Sequence, residues 1–172
     1  MQVAECRIRQ VILDINDIGR FLEILRSIGE RNRTHIVIFN SEMMAGKDHV
    51  ISALSHAIRA ENETRRISNS LEMEALLYAS GSRQCIKGMK FGIHKRINRS
   101  YLCLCPWTDQ TWMELSENIT PTTEDWEDIS SEKAKLLMDL FEITHEEVEV
   151  AGGIQRIREL VLERVALLDA YR

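Results

Sequence analysis

The run Thr34-His35-Ile36-Val37-Ile38-Phe39 constrains this chain most, because it is short, almost wholly apolar and rich in β-branched side chains. Such a run reads as a buried strand. Helical periods lie on both sides of it. Ile18, Phe21, Leu22, Leu25 and Ile28 fall on one face of an amphipathic helix over about 15–30, closed by Gly29 and the charged stretch to Arg33. Val50, Leu54, Ala57 and Ile58 share a face of a second helix over about 48–65. Residues 3–13 are β-prone with partial alternation and predict an opening strand, and Tyr101–Cys105 predicts another, stopped by Pro106.

Between these strands Asn69, with Glu72 three residues on, predicts a capped helix to Tyr78. Ser82 predicts the cap of a further helix carrying Arg83, Ile86, Met89 and Lys90. Beyond Pro106, helices are expected near 109–117 and 131–143. Thr144 and Glu147 form a second capping box, and a strong helix follows Gly152-Gly153 to Tyr171. The order is β-α-β, helices, β, helices. It predicts an α/β fold: a small mixed sheet with several helices packed against it, as one domain over 1–172.

Charge is distributed unevenly. The chain carries a net −5, and residues 106–150 hold thirteen acids against Lys133 and Lys135. From Arg83 to Arg99, however, there are six Lys or Arg and no acid. On a helix Arg83, Lys87 and Lys90 share a face, with Lys95 and Arg96 in the following loop. A basic stripe on an acidic chain can contact successive phosphates without reading bases. A solvated helix face is the competing reading. Tyr78 and Phe91 flank the stripe and are either core or stacking residues. Lys47 and His49 stand at a helix start, where backbone amides hold anions and Gly46 would allow close approach. The acids Glu124, Asp125, Glu127 and Asp128 read as a solvated loop.

The run Glu74…Tyr78-Ala79-Ser80-Gly81-Ser82-Arg83-Gln84…Gly92-Ile93, with Ala45-Gly46-Lys47-Asp48-His49-Val50 and then Ala53, Ala57 and Asn62 upstream, resembles the kinase-binding subunits of the KEOPS complex, the p53-related-protein-kinase-binding protein family. The resemblance runs from about Ile36 to Pro106. Cys85 and Gly88 depart from the family pattern, at places where it has an aliphatic residue and an alanine. Both changes shrink a face expected to be buried. The resemblance implies a non-catalytic subunit that binds a small kinase-like ATPase, and through it the rest of a complex making threonylcarbamoyladenosine in tRNA. It further implies contact with the 3′ CCA end of tRNA. Arg83 and Gln84 match the family's paired positions, and Lys47 and His49 its upstream motif. Lys87, Lys90, Lys95 and Arg96 are added from charge alone.

The partner surface is expected on the last helix. Ile154, Ile157, Leu160, Val161, Leu162, Val165, Leu167 and Leu168 fill more than one apolar stripe. A helix at the edge of a small domain needs only one. Ile154, Ile157 and Val161 are the predicted contacts; the competing reading is a helix buried on most sides.

Other chemistry has little support. Gly46-Lys47 lacks the remaining residues of a phosphate-binding loop, and no nucleophile elbow or kinase signature occurs. Cys103 and Cys105 alternate on a strand without further metal-ligand spacing, so buried cysteines are the better reading and no metal or cofactor is expected. No apolar run reaches the ~18 residues of a membrane span. The start of the chain lacks the pattern of a signal peptide, so the cytoplasm is expected, with the nucleus also open to a eukaryotic chain, and the four cysteines are expected as thiols. A free-standing single-stranded nucleic-acid-binding domain is the main alternative. A small-molecule enzyme with a cleft near Gly46 and His49 is a weaker one.

Overall fold

In the computed structural model, residues 1–170 are described; Tyr171, expected on the last helix, lies outside them. Four strands form one antiparallel sheet: β1 (Arg7–Ile15), β2 (His35–Asn40), β3 (Arg96–Cys105) and β4 (Thr120–Pro121), in the order β2-β3-β1-β4. Helices cover both faces. Those described are α1 (Ile18–Asn32), α2 (Lys47–Asn62), α3 (Leu71–Ser80), α4 (Cys85–Met89), α5 (Asp109–Leu115), α6 (Ser131–Phe141), α7 (His145–Ala151) and α8 (Ile157–Ala170).

The alternation of strand side chains divides the interior in two. Val11, Leu13 and Ile15 of β1, Ile36 and Ile38 of β2, and Leu102 and Leu104 of β3 pack with Phe21, Leu25 and Ile28 of α1 and Leu115 of α5. Val37, Phe39, Tyr101, Cys103 and Cys105 point the other way, into a larger core made with α2, α3, α6 and α8. This is why β2 is apolar at consecutive positions: both of its faces are covered.

The sheet is drawn out further than expected at one end. The opening strand begins at Arg7 because Val3–Glu5 forms a single 3-10 turn, in which the Gln2 amide donates to Glu5 Oε2 at 2.8 Å. It continues to Ile15, and β3 answers it from Arg96, so that Ile15 lies opposite Arg96. The polar Arg96–Ser100 segment looks like loop in isolation, yet it is a strand because β1 pairs along its whole length. The same register brings Cys6 opposite Cys105, and the two form a disulfide with Cα atoms 4.3 Å apart. That corrects the expectation of four thiols; Cys103 is a buried free cysteine and Cys85 an exposed one.

Caps differ in detail. Ser70, not Asn69, caps α3, its hydroxyl accepting from the Met73 amide. Glu72 is turned instead toward His35, 2.8 Å from its Nδ1. Ser82 Oγ accepts from the Gln84 amide at 3.1 Å, and the residue at the start of α4 is Gln84. The Thr144–Glu147 capping box forms as predicted. Among the described residues, no helix is long and apolar enough to cross a membrane.

Candidate functional site

The corner between α3 and α4 is built from the residues that make the sequence distinctive, and most of them face inward. Glu74 is buried, and its Oε2 accepts from the amides of Ile67 and Ser68, both at 2.9 Å, holding the loop that leads into α3. Tyr78 and Phe91 are core residues, so neither offers a face to a base. Gly81 ends α3 at φ +59, a left-handed conformation that glycine adopts without strain. Gly88 is buried against Leu76 and Leu77, where a Cβ would come within 3.2 Å of Leu77 Cδ2. The smaller residue thus lets the short α4 lie close on α3. Cys85, expected on the buried face, is exposed.

On this frame Arg83, Gln84, Lys87 and Lys90 are all exposed. α4 is little more than one turn, so Arg83 precedes it and Lys90 ends it. Lys87 Nζ lies 3.9 Å from Glu142 Oε1, a contact between exposed groups that holds neither firmly. Ile86 and Met89 stand among these cations at 73% and 61% exposure. The corner is therefore basic and apolar together.

Lys95 and Arg96 are presented by a different device. Asn98 is buried; its Oδ1 accepts from the His94 amide, and its Nδ2 donates to the carbonyls of His94 and Arg96 at 2.7 and 2.8 Å. The turn is pinned from beneath, and both cations stay exposed at the open end of the β1–β3 pair. Arg96 is at φ +72, and its Nη1 reaches Asn16 Oδ1 at 3.3 Å. Arg99, the last cation of the segment, is engaged with Glu124 at 2.9 Å.

The upstream motif turns inward. His49 is fully buried. Its Nδ1 accepts from the Ala45 amide at 3.0 Å, so its Nε2 carries the proton and donates to the Ala79 carbonyl at 2.9 Å. Burial, with a smaller contribution from the Lys133 charge, lowers its pKa to about 4 and keeps it neutral. The start of α2 is likewise filled from within. The Lys47 amide donates to Glu127 Oε1 at 2.8 Å, and Arg158 Nη2 reaches the Glu127 carbonyl at 2.6 Å. Gly46, at φ +91, gives its space to those two side chains rather than to a ligand. The side chains of Lys47 and Asp48 are exposed, so the positive charge of Lys47 has a carboxylate beside it in the chain. The acidic run is not wholly solvated either, since Glu124 accepts from Arg99 and Trp126 while Glu127 caps α2.

The expected partner face separates into two. Ile154 sits in a 3-10 turn, Ile154–Arg156, and is 48% exposed. Ile157 and Val161 are core residues of α8, at 2% and 0% exposure, with Leu160, Val165 and Leu168. α8 packs on α2, α3, α6 and α7, so one broad stripe of it is core, while Leu162 and Leu167 are only partly buried. Val150 of α7, the helix in contact with that turn, is 90% exposed and was not among the residues expected at the partner face. A second overlooked patch joins β1 to α5. The guanidinium carbons of Arg7 and Arg9 each lie 5.2 Å from the Trp107 ring centre, and Trp107 lies 5.4 Å from Trp112. The signal available for it was Arg7 and Arg9 two apart on one strand face.

These features describe an interaction surface: exposed basic and apolar residues at a corner, with the polar groups beneath it committed to holding the fold. Residues 14–169 match the family described as kinase binding protein CGI-121. The chain is also 30% identical over 133 residues to the regulatory protein Cgi121 of Methanocaldococcus jannaschii, covering 77% of this chain and 81% of that protein. The chain belongs to the kinase binding protein CGI-121 family, a family of regulatory proteins rather than enzymes and the one that the Ile36–Pro106 stretch resembles.

Proposed function

We propose that this chain is the kinase-binding, non-catalytic subunit of a KEOPS complex, and that it helps to deliver tRNA to the modification machinery by holding the 3′ CCA end. The family match over residues 14–169 supports the first part. For tRNA, the supporting observation is the exposed set Arg83, Gln84, Lys87 and Lys90 on the α3–α4 corner of an otherwise acidic chain. Lys95 and Arg96 extend the positive surface, and Lys47 contributes its side chain only. His49 acts on this surface indirectly, by fixing α2 to the end of α3. Ile154, with Val150 of α7, is the apolar contact offered to the kinase; Ile157 and Val161 support it from the core.

The test is reconstitution. Co-expressed with a tagged KEOPS kinase-like subunit, the chain should co-purify at a fixed ratio through size exclusion. Adding it to the remaining subunits should raise threonylcarbamoyladenosine formation on intact tRNA. A chain that binds tRNA but never retains the kinase would instead be a free-standing nucleic-acid-binding domain.

A further inference from the structure

The edge of β2 is left open in a way that folded proteins usually avoid. β2 ends the sheet, and its run Ile36-Val37-Ile38-Phe39 carries no charge, proline or bulge to discourage pairing. Ser41 donates to the Arg99 carbonyl at 2.9 Å, so the odd-numbered residues of β2 face β3 and the even-numbered ones direct their backbone groups outward. Asn40 and Thr34 are satisfied at either end, their amides reaching Phe91 and Gly29 carbonyls at 2.7 and 3.0 Å. Between them, the amides and carbonyls of Ile36 and Ile38 take no hydrogen bond among the described residues.

This edge forms the floor of a cavity of about 780 Å³. One wall is α1, with Leu22, Leu25 and Gly29, and the other is α3, with Met73 and Leu76. Leu22 is 46% exposed although it borders an apolar cleft. The charged rim is unbalanced. Glu72 is engaged by His35, whereas Arg26 and Arg33 on the α1 side face only one carboxylate, Glu30, and none of these three has an ion pair among the described residues.

We infer that this groove takes an extended peptide segment of another protein, added antiparallel or parallel to β2 as a fifth strand. The backbone supplies two donors and two acceptors at strand spacing, as strand addition requires. Alternate side chains of the guest would enter the apolar walls, and an acidic residue would meet Arg26 or Arg33. A second copy of this chain fits poorly, because its own β2 is recessed between the same two helical walls. The inference does not rest on the kinase or tRNA assignments.

The experiment pans the intact chain against a phage-displayed library of random ten-residue peptides, then measures the selected peptides by fluorescence anisotropy. Expected binders alternate apolar residues and carry an acid. Their affinity should fall ten-fold or more with Met73→Glu and Leu22→Glu, two substitutions on partly exposed walls. Bound peptide should also slow amide exchange at Ile36 and Ile38 while leaving Arg83 and Lys87 unaffected. Ile38→Pro removes an outward amide that the fold does not use; if it stays folded by circular dichroism, it should also lose the peptide. Failure to select peptides, or peptides indifferent to both wall variants, overturns the inference. So does a dimer in sedimentation that Met73→Glu dissociates, or a small molecule retained in native mass spectra that the same variant releases.

Discussion

His49 Nε2 donates to the Ala79 carbonyl at 2.9 Å, tying the first turn of α2 to the last turn of α3 from inside the core. The ring also lies edge-on to Phe141 and Phe91, with centres 5.6 and 6.3 Å away. A second proton would sit on Nδ1 and abolish its acceptance from Ala45. With a folded pKa of about 4 against 6.5 in the open chain, His49 binds a proton in the unfolded state first. Its contribution is thus complete above pH 6.5 and is lost as pH falls from there toward 4. The slope is about 1.36 kcal/mol per pH unit. His35 works in the opposite sense: its bond to Glu72 raises its pKa, so its contribution is present below 6.5 and is lost as pH rises through the raised value. Comparison with a non-titrating variant isolates His49. The stability gap between wild type and His49→Gln, from urea melts, should narrow by about 2 kcal/mol between pH 7 and pH 5. A gap that does not change with pH would show that the ring is not held neutral by the fold.

Gly46 provides a sharper test of how the start of α2 is made. Its φ of +91 with an extended ψ belongs to glycine, and an added Cβ would stand 2.6 Å from Glu127 Oε2 and 3.0 Å from Arg158 Nη2. Gly46→Ala should therefore cost about 1–3 kcal/mol in backbone strain. Displacing Glu127 from the Lys47 amide should add about 1 kcal/mol. Thermal melting should fall by several degrees, and Glu127→Ala should reproduce only the smaller part. An unchanged melting temperature in Gly46→Ala would mean that the turn relaxes freely.

The sequence shows most of the elements but not what its motif residues do. Periods of 3.6 in α1, α2 and α8 and the apolar density of β2 survive in isolation, because each reflects burial along one element. The first half of β3 does not, since Arg96–Ser100 becomes a strand only when β1 pairs beside it. Spacing likewise places His49 beside Lys47 at a helix start, yet one residue pointing in and its neighbour out depends on where α3 lies. Gly46 looks like part of an anion site for the same reason: a glycine crowded by the protein's own side chains carries the same letter as one that cradles a ligand. The exposure of Arg83 and Lys87 agrees with their charge, because burying a charge without a partner is costly. Val150 is not legible as surface, because nothing in the letters Val148-Glu149-Val150-Ala151 shows that the fold buries Val148 and leaves Val150 exposed.

Ile154 and Ile157 lie three apart and have opposite fates. A guanidinium at Ile157 would be buried without a partner, which is among the costliest substitutions a core can receive. Ile157→Arg should yield insoluble protein or a loss of the cooperative melt. Ile154→Arg, at a half-exposed turn, should melt within a few degrees of wild type and fail to retain the kinase-like subunit in a pull-down. Val150→Arg should give the same result if the two form one contact. A folded Ile154→Arg chain that still co-purifies would remove this end of α8 from the interface.

The basic corner makes a prediction in which salt and the tRNA terminus give separate readouts. Each phosphate contact contributes about −0.7 to −0.9 to the slope of log K against log salt. Arg83→Glu with Lys87→Glu should weaken tRNA binding at low salt and flatten that slope by one to two contacts. The Lys87–Glu142 pair is exposed and long, so its loss should leave stability nearly unchanged. Removing the CCA from the tRNA tests a different contribution. An unpaired base laid on apolar side chains gains about 25 cal/mol per Å² of apolar area covered, so the trimmed molecule should bind several-fold more weakly. Since Tyr78 and Phe91 are buried, the surfaces left for that contact on the corner are Ile86 and Met89. Substituting both with serine should therefore reduce binding of intact tRNA toward that of the trimmed form while keeping the salt slope. Equal affinity for the two tRNAs in the wild-type chain would leave only backbone attraction, and it would detach the corner from any role at the 3′ end.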